Sequence, residues 1–274
     1  MSPTTRSKEA HDPRWTLLAC VLASSLSFVE GSVLNVALPA IRASYNADAA
    51  DVQWVVNAYL LPLSALLLLG GALGDHYGRR LLLVIGTSLF AITSLVCALA
   101  PSLELLLAAR GVQGVGAALL LPNSLALLNA AYQGEKRGRA VGIWAAAGAA
   151  AAAVAPLIGG WLVTNVGWPA IFYINLPLAG GAIVLALRFV SETRDVSAGR
   201  TDYAGALLAT AGLGGATYGL TRWSSSGSAD AITLGSIAIG FALLGGFVVV
   251  EKRLGTKAMM PLAMSASAGC SGST

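Results

Sequence analysis

The sequence predicts an all-α membrane protein of about eight transmembrane helices, and three observations lead there. Of 274 residues, 56% are hydrophobic and 11% charged, whereas an ordinary soluble domain carries about 25% charged residues. The apolar residues, behind a mean hydropathy of +0.72, gather in runs of membrane-spanning length. The basic residues gather in the short connections between those runs, so the net charge of +4 reads as an orientation signal and not as a nucleic-acid surface.

The first run extends from Trp15 to Leu38. As a helix it reaches about 36 Å, enough to cross a hydrocarbon core of about 30 Å with some tilt. It follows Arg6, Lys8 and Arg14, as a secretory leader would. It is roughly twice a leader's apolar length, however, and no small-x-small cleavage site is followed by a soluble domain. Further runs lie at Val52–Leu73, Leu81–Ala100, Leu103–Asn129, Ala140–Val163, Trp168–Val190, Tyr203–Leu220 and Ala231–Val250, the seventh weakened by its glycines. Turn residues separate them at Pro101-Ser102, Gly134, Gly167-Trp168-Pro169 and Ser224–Gly227. Backbone amides in lipid must find partners within their own segment, which makes these runs helices. The 32 glycines suit helices that approach one another closely.

The charges alternate with the spans. One side receives Arg6, Lys8 and Arg14, then Arg79 and Arg80, the 136–139 segment, the 188–200 segment, and Lys252, Arg253 and Lys257; the other receives only Arg42 and Arg222. The positive-inside rule puts both termini in the cytoplasm and the chain in the cell (inner or plasma) membrane. The expected organisation is a cytoplasmic tail at 1–14, a six-helix bundle at 15–190, a cytoplasmic linker at 191–202, two further helices at 203–250 and a cytoplasmic tail at 251–274.

Few residues stand out as chemistry. Cys20 and Cys97 lie inside apolar runs and Cys270 in the tail, so neither a disulfide framework nor metal-ligand spacing follows, and no metal or cofactor is expected. Gly212-x-Gly214-Gly215 has a phosphate-loop look, but it sits in an apolar run with no strand before it and reads as helix packing. His11 and His76 fall outside the spans and receive no role. The spans hold no H-E-x-x-H, no paired Asp-rich motifs and no Ser/His dyad, so an enzyme is not expected.

Away from the span ends, two charged residues fall within the apolar runs. Glu30 lies past the midpoint of the first, where a carboxylate costs about 2.5–3.5 kcal/mol on insertion scales and so faces a cavity or a partner. It reads either as a protonation site whose charge state biases inward or outward opening, or as a glutamate paired or snorkelling near the outer interface. Arg110 lies early in the fourth span. Arginine does not deprotonate, so it acts as a fixed charge beside a carboxylate or substrate, or else anchors its helix by snorkelling. The sequence leaves open whether the two touch.

The segment after the second span runs Gly71-x-x-x-Asp75-His76-x-Gly78-Arg79-Arg80. It resembles the signature loop between helices 2 and 3 of the major facilitator superfamily, with His76 where arginine is common. Other elements resemble the same family in order. Arg110-Gly111-Val112-Gln113-Gly114 is similar to its R-x-x-Q-G element. Ala155-Pro156-Leu157-Ile158-Gly159-Gly160 is similar to the antiporter G-P-x-x-G-G element, with alanine at its first position and at Ala151. Glu30 to Pro39, Gln53 to Leu61 and Phe172 to Pro177 resemble elements of the drug:proton antiporter subfamily with fourteen transmembrane helices.

The resemblance implies an N-terminal six-helix major facilitator bundle followed by two central helices. It implies proton-coupled efflux of drugs or other amphiphilic small molecules, with Glu30, Arg110 and Gln113 in proton coupling and transport. It makes Gly71, Asp75, Gly78, Arg79 and Arg80 a cytoplasmic gating loop, for which Arg139 is a candidate basic neighbour. Pro156, Gly159 and Gly160 become a bending or close-contact motif, although small-residue packing explains them equally well. The implied partners are protons, a small-molecule substrate, the lipid bilayer and a C-terminal transporter half or second copy, with no nucleic acid. Beyond Pro261-Leu262 the residues to Thr274 are small and too few to span. The expectation there is a truncated or frameshifted reading frame, or a short chain that pairs with a separate half. The alternative to a transporter is accordingly a non-transporting membrane fragment that is inert or pairs with another subunit.

Overall fold

A computed structural model of the chain describes residues 12–194, 203–226 and 230–254. All its regular structure is helical: α1 Pro13–Tyr45, α2 Ala49–Tyr77, α3 Arg79–Ala98, α4 Leu103–Ala131, α5 Gly134–Asn165, α6 Ala170–Tyr173, α7 Asn175–Phe189, α8 Tyr203–Ser226 and α9 Ala231–Leu254. Seven spans are long and apolar enough to cross a membrane, with α6 and α7 forming one of them. The helix α8 has the length but falls outside that set, because glycines and threonines dilute its apolar residues. It is nevertheless seated like a span, along α9 and against α2, with Tyr218 tilted over Trp54 at a 6.1 Å centroid distance. The chain is a multi-pass membrane protein, with seven membrane-length apolar spans among the described residues and α8 packed alongside them. The expected tails at 1–14 and 251–274 and the linker at 191–202 lie largely outside the described residues.

Helix starts are chosen by short polar side chains that accept otherwise unpaired amides. Asp12 accepts from Arg14 N at 3.0 Å, Ser102 from Leu105 N at 3.4 Å, and Asp230 from Thr233 N at 2.8 Å. Asp48 and Asp51 form a reciprocal capping box at the start of α2. The helices run longer than their apolar stretches because these caps, and polar final turns, lie beyond the hydrophobic residues.

The largest departure from expectation concerns the loop placed at Gly71–Arg80. Residues up to Tyr77 belong to α2, and Arg79 already begins α3. Gly78 alone separates them, at φ +125°, a conformation open to glycine and strained for other residues.

Helices α1 and α4 occupy the middle of the bundle, with α2 and α3 closing on α4 and with α5 and α7 closing on α1. Close approach explains much of the small-residue content. A methyl group at Gly86 or Gly116 would meet the backbone of the opposing helix at 2.7–2.9 Å, so α3 and α4 touch main chain to main chain. In the α1–α5 contact, glycines of α5 instead receive side chains of α1. A side chain at Gly159 would overlap Val33, and Gly160 lies over Val36. Helix α5 continues unbroken through Pro156.

Candidate functional site

The polar centre of the bundle is assembled from residues of five spans. Glu30, near the middle of α1, is fully buried, and Arg110 of α4 is 1% exposed. Charges so placed lose several kcal/mol of hydration each and persist only with close partners. The Arg110 Nη1 donates to Glu30 Oε1 at 2.5 Å and to Gln113 Oε1 at 2.7 Å. Its Nε donates to the Val55 carbonyl of α2 at 3.1 Å. The guanidinium also lies 4.5 Å above the Tyr59 ring and 6.0 Å from the Phe172 ring, where the ring faces attract a cation.

The second carboxylate oxygen has its own donor. Asn175, the first residue of α7, gives Nδ2 to Glu30 Oε2 at 2.8 Å and to Ser94 Oγ of α3 at 3.2 Å. Gln113 Nε2 donates to the same Ser94 Oγ at 2.8 Å. Tyr59 is fixed by a 2.5 Å bond between its hydroxyl and Ser27 Oγ. The Asn175 Oδ1 atom is buried without a partner among the described residues.

Sequence reasoning singled out Glu30, Arg110 and Gln113, and the structure brings all three together. It also answers the open question of contact: the pair is direct, and neither residue snorkels. Tyr59, Ser94 and Asn175 were missed as site residues. Tyr59 and Asn175 lay inside the quoted runs Gln53–Leu61 and Phe172–Pro177, as polar groups within apolar spans. Ser94 carried no comparable signal. Beside this centre, Val29, Val33, Ile174 and Pro177 contribute to an apolar cavity of about 330 Å³ between α1, α5 and the α6–α7 span.

A second cluster surrounds Gly78. Asp75, in the last turn of α2, accepts from Arg79 Nε at 2.8 Å and pairs with its Nη2 at 2.7 Å, bridging the break. Glu192, just beyond α7, accepts the Arg80 amide at 2.9 Å and the Leu81 amide at 3.1 Å. Its carboxylate thus caps the start of α3, where amides are unpaired and the helix dipole favours negative charge. The Arg79 amide donates to the Thr193 carbonyl at 3.0 Å, and Arg80 Nη1 to the Val190 carbonyl at 3.1 Å. The structure therefore ties the end of α7 to the α2–α3 junction, a link the sequence did not reveal. Gly71 packs against Pro122. Arg139 lies elsewhere, lining a groove of about 960 Å³ with Arg14 and Lys136 where α1 begins, α4 ends and α5 begins. Among the described contacts it does not reach Asp75.

The described residues thus form a bundle of close-packed spans with an ion pair buried inside it. The family model for the Major Facilitator Superfamily matches residues 20–273, and the chain belongs to that family. It is 35% identical to the tetracenomycin C resistance and export protein of Streptomyces glaucescens over 260 residues, which cover 94% of this chain and 48% of that protein. It is 38% identical to the multidrug resistance protein Stp of Mycobacterium tuberculosis, over 87% of this chain and 44% of that one. Identity is also 38% to the methylenomycin A resistance protein of Bacillus subtilis, over 77% of this chain and 45% of the relative. The chain thus spans about half the length of these relatives. Among solved structures, the POT family transporter PepTSo aligns with a TM-score of 0.60 at 14% identity, covering 86% of this chain and 52% of its own. A bacterial homologue of the human lysosomal transporter Spinster aligns with a TM-score of 0.50 at 20% identity, over 90% and 64%. These two likenesses concern the fold.

Proposed function

We propose that this chain forms the N-terminal six-helix half (15–190) and two central helices (203–250) of a proton-coupled exporter of amphiphilic small molecules. Both ends of the chain lie on the cytoplasmic side of the cell membrane. The observation that carries the reading is the sealed Glu30–Arg110 pair. A carboxylate at this depth with a permanent cation beside it can take up and release a proton without leaving the site. Arg110 keeps the Val55 carbonyl, Gln113 Oε1 and two ring faces when Glu30 is neutral, which offsets part of the cost of leaving its charge without a counter-ion. Gln113 sets the position of Arg110. The Asp75–Arg79 and Glu192 contacts hold the cytoplasmic ends of α2, α3 and α7 together as a gate, and the glycines facing Val33 and Val36 let α5 move against α1. Small-molecule export is supported by the resistance and export proteins among the relatives and by the apolar cavity beside Glu30. An enzymatic role has no comparable support.

The test is dye efflux from vesicles driven by an imposed proton gradient, using the chain alone and the chain together with a C-terminal six-helix half. Gradient-driven efflux that disappears in Glu30→Gln supports the proposal. Efflux that is indifferent to the gradient, or absent in both preparations, refutes it and favours a non-transporting membrane fragment.

A further inference from the structure

We propose that Asn175 is the acceptor for the proton carried by Glu30, and that its side-chain amide turns over as the carboxyl changes charge. This rests on Glu30 being the group that takes up the proton. In the charged arrangement each carboxylate oxygen faces a donor, Oε1 the Arg110 Nη1 and Oε2 the Asn175 Nδ2. A carboxylic acid must itself donate one hydrogen bond, so protonation here points an O–H at an N–H. The other nearby acceptors are engaged. Gln113 Oε1 receives Arg110 Nη1, and Ser94 Oγ receives both Gln113 Nε2 and Asn175 Nδ2.

Among the described residues, one buried acceptor beside Glu30 stands without a partner, and it belongs to the same amide: Asn175 Oδ1. Rotation about the last side-chain bond exchanges Nδ2 and Oδ1, which differ little in shape. After the exchange, Glu30 Oε2–H donates to Asn175 Oδ1. The Ser94 hydroxyl can turn to donate to the same oxygen. One O–H bond forms at Glu30 as one breaks in a hydronium ion from the aqueous phase, and no electrons change hands. The titratable or charged groups facing Glu30 from neighbouring helices are Tyr59 of α2, Cys97 of α3 and Arg110 of α4; α6 presents the Phe172 ring and α7 presents Asn175. Of the uncharged polar groups around the pair, Asn175 is the one hydrogen-bonded to the carboxylate among the described contacts, and its amide carries both a donor and an acceptor.

Infrared difference spectroscopy of the chain in lipid vesicles, stepped through acid and alkaline pH, tests this without requiring transport. Glu30→Gln identifies the Glu30 carboxylic-acid band. The expected result is a hydrogen-bonded band in the unaltered chain, a shift to the unbonded position in Asn175→Leu, and retention of the bonded position in Asn175→Ser, whose hydroxyl both donates and accepts. With isotope-labelled asparagine, the amide carbonyl band absent from Asn175→Ser should shift in step with the Glu30 titration. That measurement on the unaltered chain decides the matter if Asn175→Leu does not fold. A Glu30 band that titrates at the same frequency with and without Asn175, or an asparagine band that ignores the titration, overturns the acceptor role while leaving Glu30 as the protonated group. Absence of any Glu30-dependent band overturns both. In a transporting preparation, Asn175→Leu should lower turnover about tenfold with KM unchanged, as expected for one charge-linked hydrogen bond.

Discussion

Removing one partner of the Glu30–Arg110 pair should cost far more than removing both. The two side chains are 0–1% exposed and 2.5 Å apart, so either single change strands a charge away from water. Breaking a buried pair in this way costs about 3–5 kcal/mol. Glu30→Gln leaves a guanidinium that cannot neutralise itself. Arg110→Met leaves a carboxyl that can neutralise by taking a proton, so its penalty should shrink as pH falls, whereas the Glu30→Gln penalty should not. The double variant carries neither charge and leaves about one buried polar atom unsatisfied, a cost of about 1–3 kcal/mol. The coupling between the sites should therefore be at least about 3 kcal/mol, at or above the upper end for neighbouring residues. Equilibrium unfolding of the four proteins in mixed micelles, followed by tryptophan fluorescence, measures it. Single variants within about 1 kcal/mol of the unaltered chain, or a double variant costing the sum of the singles, would refute the claim that the pair is buried and mutually dependent.

The α2–α3 junction offers a second test. Gly78→Ala meets both a φ of +125° and the Glu192 carboxylate, and should cost about 1–3 kcal/mol, with faster amide exchange in the first turn of α3. Glu192→Ala removes the cap from the Arg80 and Leu81 amides and should cost about 0.5–2 kcal/mol while leaving the α4 amides unaffected. Gly159→Leu should lower the unfolding midpoint by overpacking Val33, a cost of about 1–3 kcal/mol; Gly142→Leu, with nothing within 4 Å of the added carbon, should not. Asp230 is held well below the usual carboxylate range by its hydrogen bond from Arg222 and then by those from Thr233. A depressed carboxyl favours the fold above its unfolded titration range and loses that contribution as pH falls. Exchange protection of the Thr233 amide should thus be constant through neutral and mildly acidic pH and decline only in stronger acid, while Asp230→Ala abolishes it at every pH.

The helical class and the span count were legible because lipid allows few backbone solutions and composition alone excludes the rest. Glu30 and Arg110 were legible for the same reason: a charge within a span is rare enough to stand out singly. Asn175 and Ser94 were not, since one amide or hydroxyl in an apolar run is unremarkable until the fold shows what it faces. The Gly78 junction was misjudged as a loop because turn-forming and charged residues there end the hydrophobic stretch several residues before the helix itself ends. Glu192 sits more than a hundred residues from the amides it caps, and a pairing that distant leaves no local pattern. The start of α8 at Tyr203 was foreseen, and so was its weakness, but its end was placed at Leu220, six residues short of Ser226.

The single-residue junction at Gly78 makes α2 and α3 two arms of one lever. At 29 and 20 residues the arms are about 44 and 30 Å long, and there is no slack between them for sliding or separation. Relative motion must come from rotation at the glycine. A turn of about ten degrees displaces the far end of α3 by about 5 Å, taking its length from the helical rise. Glu192 grips the short end, within the first turn of α3. A shift of a fraction of an ångström in two hydrogen bonds on one face of the membrane is thereby magnified severalfold at the other.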